Sequence, residues 1–203
     1  QSGWQQTFPT SPGTHAVTLT SGQNIANLNF GNKIQTDACI TWSLLSSNAV
    51  TSTNGNVSGQ PQTIGVGTSP PFMSVFLPYS NGQRLWTGNT GTGWPAGTQD
   101  TARFIQFNAS PTSGNNLTVT NVSFNYGDNP LPTNFNILNF KAYYSTDNWS
   151  TSTVLNSTAL VYLNSTMLSF SRPLNVLVPN GQTFSLRIYP YSPTGSIAMT
   201  PSF

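Results

Sequence analysis

The sequence predicts an all-β fold, a sandwich of antiparallel sheets, and three observations support this. Apolar and polar residues alternate with period two in short runs along the 203 residues, which is typical of strands with one buried face. The runs end at Gly, Asn, Ser and Pro, which favour turns. The segment closest to a helical pattern, 150–170, is rich in Ser, Thr and Asn, which disfavour helix interiors.

Each strand is predicted from its own alternation. Residues 38–44 place Ile40, Trp42 and Leu44 on one face, and Trp42 is expected in the core. Cys39, the only cysteine, is expected at a buried strand position. Further strands are predicted at 117–120, 121–126, 174–178 and 183–191, with two short ones in 150–170. Turns are predicted at Ser21-Gly22, Asn54-Gly55, Asn81-Gly82, Ser113-Gly114, Gly127-Asp128 and Asn180-Gly181.

The composition excludes several classes of protein. Only 5% of residues are charged, none is Glu, and Ser, Thr, Asn and Gln make up roughly two residues in five. Six Lys and Arg are too few to follow a phosphate backbone, so we expect no nucleic-acid partner. The aromatic content of 12% argues against disorder. No apolar run reaches the about 18 residues of a membrane span, and the polar start lacks a signal region, which predicts a mature chain or a fragment.

Residues 1–32 contain the strings SGWQQTFP and GTHAVTLTSGQNIANLNFGN. They resemble the last strands of the SdrD-like B-repeat domains of secreted bacterial proteins. This resemblance predicts a boundary near residue 32. We expect 1–32 to form strands packed on the main body, because burial of each large apolar side chain contributes roughly 1.5 to 3 kcal/mol. The side chains expected to be buried are Val17, Leu19, Ile25, Leu28 and Phe30.

The main body, 33–203, contains in order ACITW, LWTGN, GWP, RFIQFNASPTSGNNLTVTNVSF, YYSTDNWS and LRIYP. This order resembles the noncatalytic β-sandwich modules of secreted pectate lyases and related polysaccharide-degrading enzymes. The resemblance implies a jelly-roll sandwich of two antiparallel sheets and recognition of polysaccharide. It also implies a secreted, extracellular or cell-surface location and further domains in the full-length protein.

The residues do not favour catalysis. Hydrolysis of a glycoside needs two carboxylates about 5 to 10 Å apart, whereas the four Asp residues are far apart in sequence. The one histidine, His15, lies in the 1–32 segment and has no evident nucleophile to activate. We therefore predict no enzyme and no required cofactor. A structural calcium ion is the one metal considered, with Asp100, Asp128 or Asp147 and carbonyl oxygens as ligands, although turn formation also explains Asp128 and Asp147.

Binding of sugars is better supported, because sugars need aromatic rings beside amide and hydroxyl groups. Alternation in residues 139–145 puts Phe140, Ala142 and Tyr144 on one face, and alternation in 184–191 does the same for Phe184, Leu186 and Ile188. If both sets face the core, the alternate residues form an outer face. The predicted ligand-binding residues on it are Lys141, Tyr143, Arg187, Tyr189 and Tyr191. Its cations suit an acidic glycan such as pectin. The alternative is that these groups stack on one another and solubilise an exposed sheet.

Two further tryptophans, Trp86 and Trp94, flank the glycine-rich loop TGNTGTG and are predicted as a second ligand-binding surface. Trp149 is expected at the core edge or at the sandwich rim. The leading hypothesis is a noncatalytic module that binds plant cell-wall polysaccharide and targets a secreted enzyme or cell surface. The alternative is a structural or adhesive module with a protein partner, which the repeat-like segment 1–32 favours.

Overall fold

The computed structural model describes residues 4–10, 13–26, 28–34, 36–66, 78–79, 82–83, 85, 97–128, 138–162, 167–193 and 201–202. All regular elements in these ranges are β-strands, and no helix occurs in them. The all-β prediction is confirmed for this part of the chain. None of its elements is a helix that could cross a membrane.

The chain divides into two units, Gln1–Asp37 and Ala38–Phe203. The first contains β1 (Trp4–Phe8) and β2 (Gly31–Ile34), which pair in antiparallel fashion. The strands of the second unit are β3 (Cys39–Thr41), β4 (Ser52–Asn54), β5 (Val57–Gly59), β6 (Thr63–Val66), β7 (Pro78–Tyr79), β8 (Gly82–Gln83), β9 (Arg103–Pro111), β10 (Leu117–Asp128), β11 (Leu138–Ser145), β12 (Thr153–Val154), β13 (Leu160–Tyr162), β14 (Leu168–Val178), β15 (Phe184–Tyr191) and β16 (Pro201–Ser202).

The first unit differs from its prediction. Outside β1 and β2, its described residues are in no strand, although Gln23 N–H donates to the Thr20 carbonyl at 3.1 Å and closes the predicted turn at Ser21-Gly22. The side chains expected to be buried are 40 to 61% exposed; they are Val17, Leu19, Ile25, Leu28 and Phe30. Within the described part of the first unit, these residues pair in no sheet that could cover them. Packing of this unit on the main body stays a prediction.

The larger sheet of the second unit has seven strands in antiparallel pairing. Its main order is β12-β11-β15-β9-β5, with β13 also paired to β11 and β6 to β9. Since β15 has a neighbour on each side, most of its residues are buried, on both faces of the sheet. The 150–170 segment contains the two predicted short strands, β12 and β13.

A second sheet has the order β14-β10-β16. The ladder between β10 and β14 shifts register between Val119 and Asn121, beside Pro173. Proline has no backbone N–H to donate, so a bulge at this point removes little from the ladder. Past the bulge, Val122 and Tyr126 are buried while Ser123 and Asn125 between them are exposed.

Side chains from both sheets join one hydrophobic core. Ile105, Phe140 and Ile188 come from the larger sheet, and Tyr126 from the smaller one packs its ring 4.9 Å from that of Phe140. The core also includes Leu44, Leu85, Val122, Leu138, Ala142, Leu155, Val178, Phe184 and Leu186.

The predicted strand at 38–44 is shorter in the structure. It ends at Thr41, and Leu44 adopts a φ of 55° that takes the backbone out of the extended region. Trp42 packs against the core as predicted, with its indole N–H donating to the Gln60 carbonyl at 2.9 Å. Cys39, in contrast, is exposed and free. Its neighbour Ile40 takes the inward position, so the strand phase directs Cys39 outward.

Candidate functional site

The outer face of the larger sheet brings the predicted residues of β11 and β15 together. Lys141 lies opposite Tyr189 and Tyr143 opposite Arg187, in the register that strand alternation predicts. Tyr191 lies one row further, opposite Asn139. Residues opposite one another in a ladder point to the same face, so the predicted residues form one continuous surface, here called the aromatic face.

Strand β9 widens the aromatic face with residues that the sequence analysis did not select. Gln106 lies opposite Arg187, and the Phe104 ring meets the Tyr189 ring at 5.7 Å, edge to face. The signal was present in the sequence, because alternation in RFIQFN places Phe104, Gln106 and Asn108 on one side and Ile105 on the other.

Arg187 lies at the centre of the aromatic face. The centre of its guanidinium is 4.0 Å from the Phe104 ring centroid and 3.9 Å from the Trp149 ring centroid. Its Nε donates to Gln106 Oε1 at 2.6 Å. The guanidinium therefore lies against two aromatic rings, and cation–π attraction and a hydrogen bond hold the cation in position.

A tight turn after β11 positions Trp149. Asn148 and Trp149 both have positive φ, 55° and 66°. The Asp147 carboxylate accepts hydrogen bonds from the Ser145 hydroxyl at 2.8 Å and from the Thr151 N–H and hydroxyl at 3.0 and 2.7 Å. These hydrogen bonds lower the pKa of Asp147 to about 2, and the bond from the Thr151 side chain has the largest effect. The turn holds the indole ring in place over Arg187.

The sequence analysis placed Tyr189 on an exposed outer face, but in the structure Tyr189 is buried. Only 6% of the residue is accessible, and its ring meets Tyr143 at 5.6 Å as well as Phe104. Because β15 is a central strand, its outward side chains are covered by those of its neighbours. Tyr189 supports the rings around it, whereas Tyr143 is only partly buried and its hydroxyl donates to Gln99 Oε1 at 3.3 Å.

Lys141 is tied to the loop after β12. Its ammonium donates to the carbonyls of Asn156 and Ser157 at 3.1 and 2.5 Å. The buried Asn156 side chain in turn accepts from the Ala142 N–H at 2.7 Å and donates to the Phe140 carbonyl at 2.9 Å. This network fixes Lys141 at the edge of the aromatic face.

Neutral amides extend the surface beyond Arg187. Gln106 Nε2 donates to Asn108 Oδ1 at 3.0 Å, and Asn108 Nδ2 donates to Gln60 Oε1 at 3.0 Å. Nearby, a Cβ on Gly65 would lie 2.6 Å from Phe104 Cδ1, so the glycine leaves the room that the Phe104 ring occupies. The face therefore presents rings, a cation and a row of amides side by side.

The carboxylates predicted as calcium ligands have other roles where they are described. Asp100 accepts from the Ala102 N–H at 2.8 Å and forms an ion pair with Arg103 at 3.3 Å. Asp147 caps its turn, as the alternative interpretation held, and the side chain of Asp128 lies outside the described part. Within the described ranges no three His, Cys, Asp or Glu residues form a metal-binding group. The calcium prediction remains untested.

The second predicted surface, around Trp86 and Trp94, lies outside the described residues. The aromatic face combines planar rings, amide groups and cations. Planar rings can contact the apolar faces of sugars, and amides and cations can bind hydroxyl and carboxylate groups. Asp147 beside it is a poor general acid, because a glycosidase acid needs a raised pKa and that of Asp147 is lowered. Comparisons of the chain with protein-family models, curated proteins and solved structures give no match.

Proposed function

We propose that the second unit is a noncatalytic module that binds polysaccharide on its aromatic face. The observation that carries the proposal is the clamped Arg187, held between the rings of Phe104 and Trp149 beside Tyr143. A fixed cation among partly exposed rings and amides matches a sugar chain that carries carboxylates. The ligand class is then an acidic plant cell-wall glycan such as pectin, with the uronate carboxylate at the guanidinium edge.

The rest of the proposal follows the resemblance to modules of secreted polysaccharide-degrading enzymes. The two sheets form a jelly-roll sandwich, and the protein acts outside the cell, on an enzyme or a cell surface, next to further domains. Catalysis belongs to those other domains, and a calcium ion, where bound, is structural. The sharing of one core by two antiparallel sheets supports the sandwich.

The second candidate function is a structural or adhesive module with a protein partner. The observation in its favour is the set of exposed apolar side chains in the first unit, of which Leu19 and Phe30 are each 61% exposed. Exposed apolar patches are typical of protein contacts. The two candidates use different units of the chain, so substitutions in one unit distinguish them.

Titration calorimetry against polygalacturonate, xylan, mannan and β-glucan tests the glycan proposal. We expect polygalacturonate to bind best and more weakly in high salt, because charge pairs at a surface are screened. Tyr143→Ala and Arg187→Gln should each weaken binding. Arg172→Gln, at an exposed arginine of β14 outside the aromatic face, is the matched control. No binding to any of the glycans, or equal effects of the two arginine substitutions, would contradict the proposal.

A further inference from the structure

Three neutral amides continue from Arg187 in a single chain of hydrogen bonds. Arg187 Nε donates to Gln106 Oε1 at 2.6 Å, and Gln106 Nε2 donates to Asn108 Oδ1 at 3.0 Å. Asn108 Nδ2 then donates to Gln60 Oε1 at 3.0 Å. The chain crosses the larger sheet from β15 over β9 to the residue that follows β5. Gln106, Asn108 and Gln60 are here called the amide relay.

The guanidinium fixes the direction of the amide relay. Arginine has only N–H donors, so the atom of Gln106 that faces Arg187 must be the acceptor Oε1. The amide nitrogen of Gln106 then faces Asn108, which must present its own oxygen, and the same step repeats at Gln60. Each amide therefore accepts on the side of Arg187 and donates on the other side. The last donor of the relay is Gln60 Nε2, which donates to no atom of the described residues.

Gln60 carries this last donor at the surface on a fixed backbone. Its N–H donates to the Asn108 carbonyl at 3.2 Å, and its carbonyl accepts from the Trp42 indole N–H at 2.9 Å. The residue itself is exposed. Hydrogen bonds in a chain polarise one another. Because this chain begins at a cation, the outward N–H of Gln60 is a strengthened donor.

We propose that Gln60 Nε2 is a second binding position for the glycan and takes an acceptor oxygen of a sugar next to the uronate held by Arg187. The inference rests on the proposed glycan function and extends its site. Neighbouring strands lie about 4.8 Å apart, so β5 and β15, with β9 between them, are separated by about 10 Å. A ligand that contacts both positions is therefore an acidic oligosaccharide that crosses the strands. The group at Gln60 is a hydroxyl or carboxylate oxygen, since the outer side of this amide only donates.

NMR titration with monogalacturonate and with trigalacturonate tests the second position. Gln60→Glu keeps an oxygen that accepts from Asn108 but replaces the outward donor with an acceptor. We expect Gln60→Glu to weaken trigalacturonate binding about tenfold or more, and Gln60→Ala about threefold to tenfold, because a hydrogen bond is lost. Monogalacturonate, which reaches Arg187 alone, should be affected no more than in the controls. The matched controls are Gln182→Glu and Gln182→Ala, at an exposed glutamine that precedes β15.

The outcomes separate this inference from the glycan function itself. If Arg187→Gln weakens trigalacturonate binding but both Gln60 variants behave like their Gln182 counterparts, the second position is refuted and the glycan function stands. Equal losses for monogalacturonate and trigalacturonate also refute it, because Gln60 would then act only through the Arg187 end. If the wild type binds neither sugar, the glycan function and this inference both fail.

Asn108→Asp tests the direction of the amide relay without a ligand. Aspartate only accepts, so Gln60 must turn its Nε2 inward to donate to it, and the oxygen of Gln60 then faces outward. In proton–nitrogen NMR spectra, one side-chain N–H of Gln60 should move downfield and exchange with water more slowly than in the wild type. Gln60→Glu lacks this signal and so assigns it. An unchanged Gln60 signal overturns the relay, as does trigalacturonate binding as strong in Asn108→Asp as in the wild type.

Discussion

Replacing Arg187 with lysine tests whether the aromatic face depends on a planar cation or only on positive charge. Arg187→Lys keeps the charge, but an ammonium cannot stack flat between the rings of Phe104 and Trp149. It also loses the hydrogen bond from Nε to Gln106 Oε1, which is 2.6 Å long. The substitution therefore removes the contacts that hold the cation in place and leaves the net charge of the protein unchanged.

The magnitude follows from these contacts. Two cation–π contacts at partly exposed sites contribute about 0.5 to 1 kcal/mol each, and a side-chain hydrogen bond contributes about 0.5 to 1.5 kcal/mol. Lysine retains part of the attraction to the rings, so we expect the free energy of unfolding to fall by roughly 1 to 2 kcal/mol. If the uronate carboxylate is bound through the guanidinium edge, affinity for polygalacturonate should fall by about tenfold, as a bidentate contact becomes a single one.

Urea unfolding followed by tryptophan fluorescence measures the stability change, and titration calorimetry with polygalacturonate measures the affinity. Arg172→Lys on β14 is the control, because Arg172 is exposed and lies outside the aromatic face. The reasoning is refuted if Arg187→Lys changes stability and affinity no more than Arg172→Lys does. A loss of affinity in both variants would instead indicate a diffuse electrostatic attraction.

Three further predictions concern the support of the aromatic face. Gly65→Ala should displace the Phe104 ring and lower stability by about 1 to 3 kcal/mol in thermal unfolding, since its Cβ would overlap the ring. Asn156→Ala should cost about 2 to 4 kcal/mol in urea unfolding because it removes the hydrogen bonds to the buried Ala142 N–H and to the Phe140 carbonyl, whereas Ser157→Ala, in the exposed part of the same loop, should cost much less. Because the Asp147 pKa is lowered to about 2, its stabilising effect should be complete above the unfolded-state value of about 4 and should disappear as the pH falls toward 2; acid titration of Asp147→Asn should lack this component.

Much of the fold could be predicted because strand alternation is a local property. Period-two patterns at 38–44, 139–145 and 183–191 were enough to assign side chains to opposite faces, since a strand directs successive residues to opposite sides regardless of its partners. The placement of Lys141 opposite Tyr189 in the ladder agrees with that pattern. The same reasoning applied to β9 would have selected Phe104 and Gln106.

Other features depend on which strands become neighbours, and the sequence does not show this. Tyr189 is buried because β15 lies between β11 and β9, an arrangement formed by residues distant in sequence. Trp149 covers Arg187 because positive φ values and the Asp147 hydrogen bonds reverse the chain at that point.

The apolar side chains of the first unit also show that the sequence alone does not determine exposure. Their apolar character favours burial, but Leu19 and Phe30 are exposed in the structure. The sequence by itself determined the strand class, the outward phase of the aromatic face and the scarcity of charge. Only the tertiary structure decided which of these side chains are covered, because burial depends on contacts between distant segments, whereas alternation depends on the strand alone.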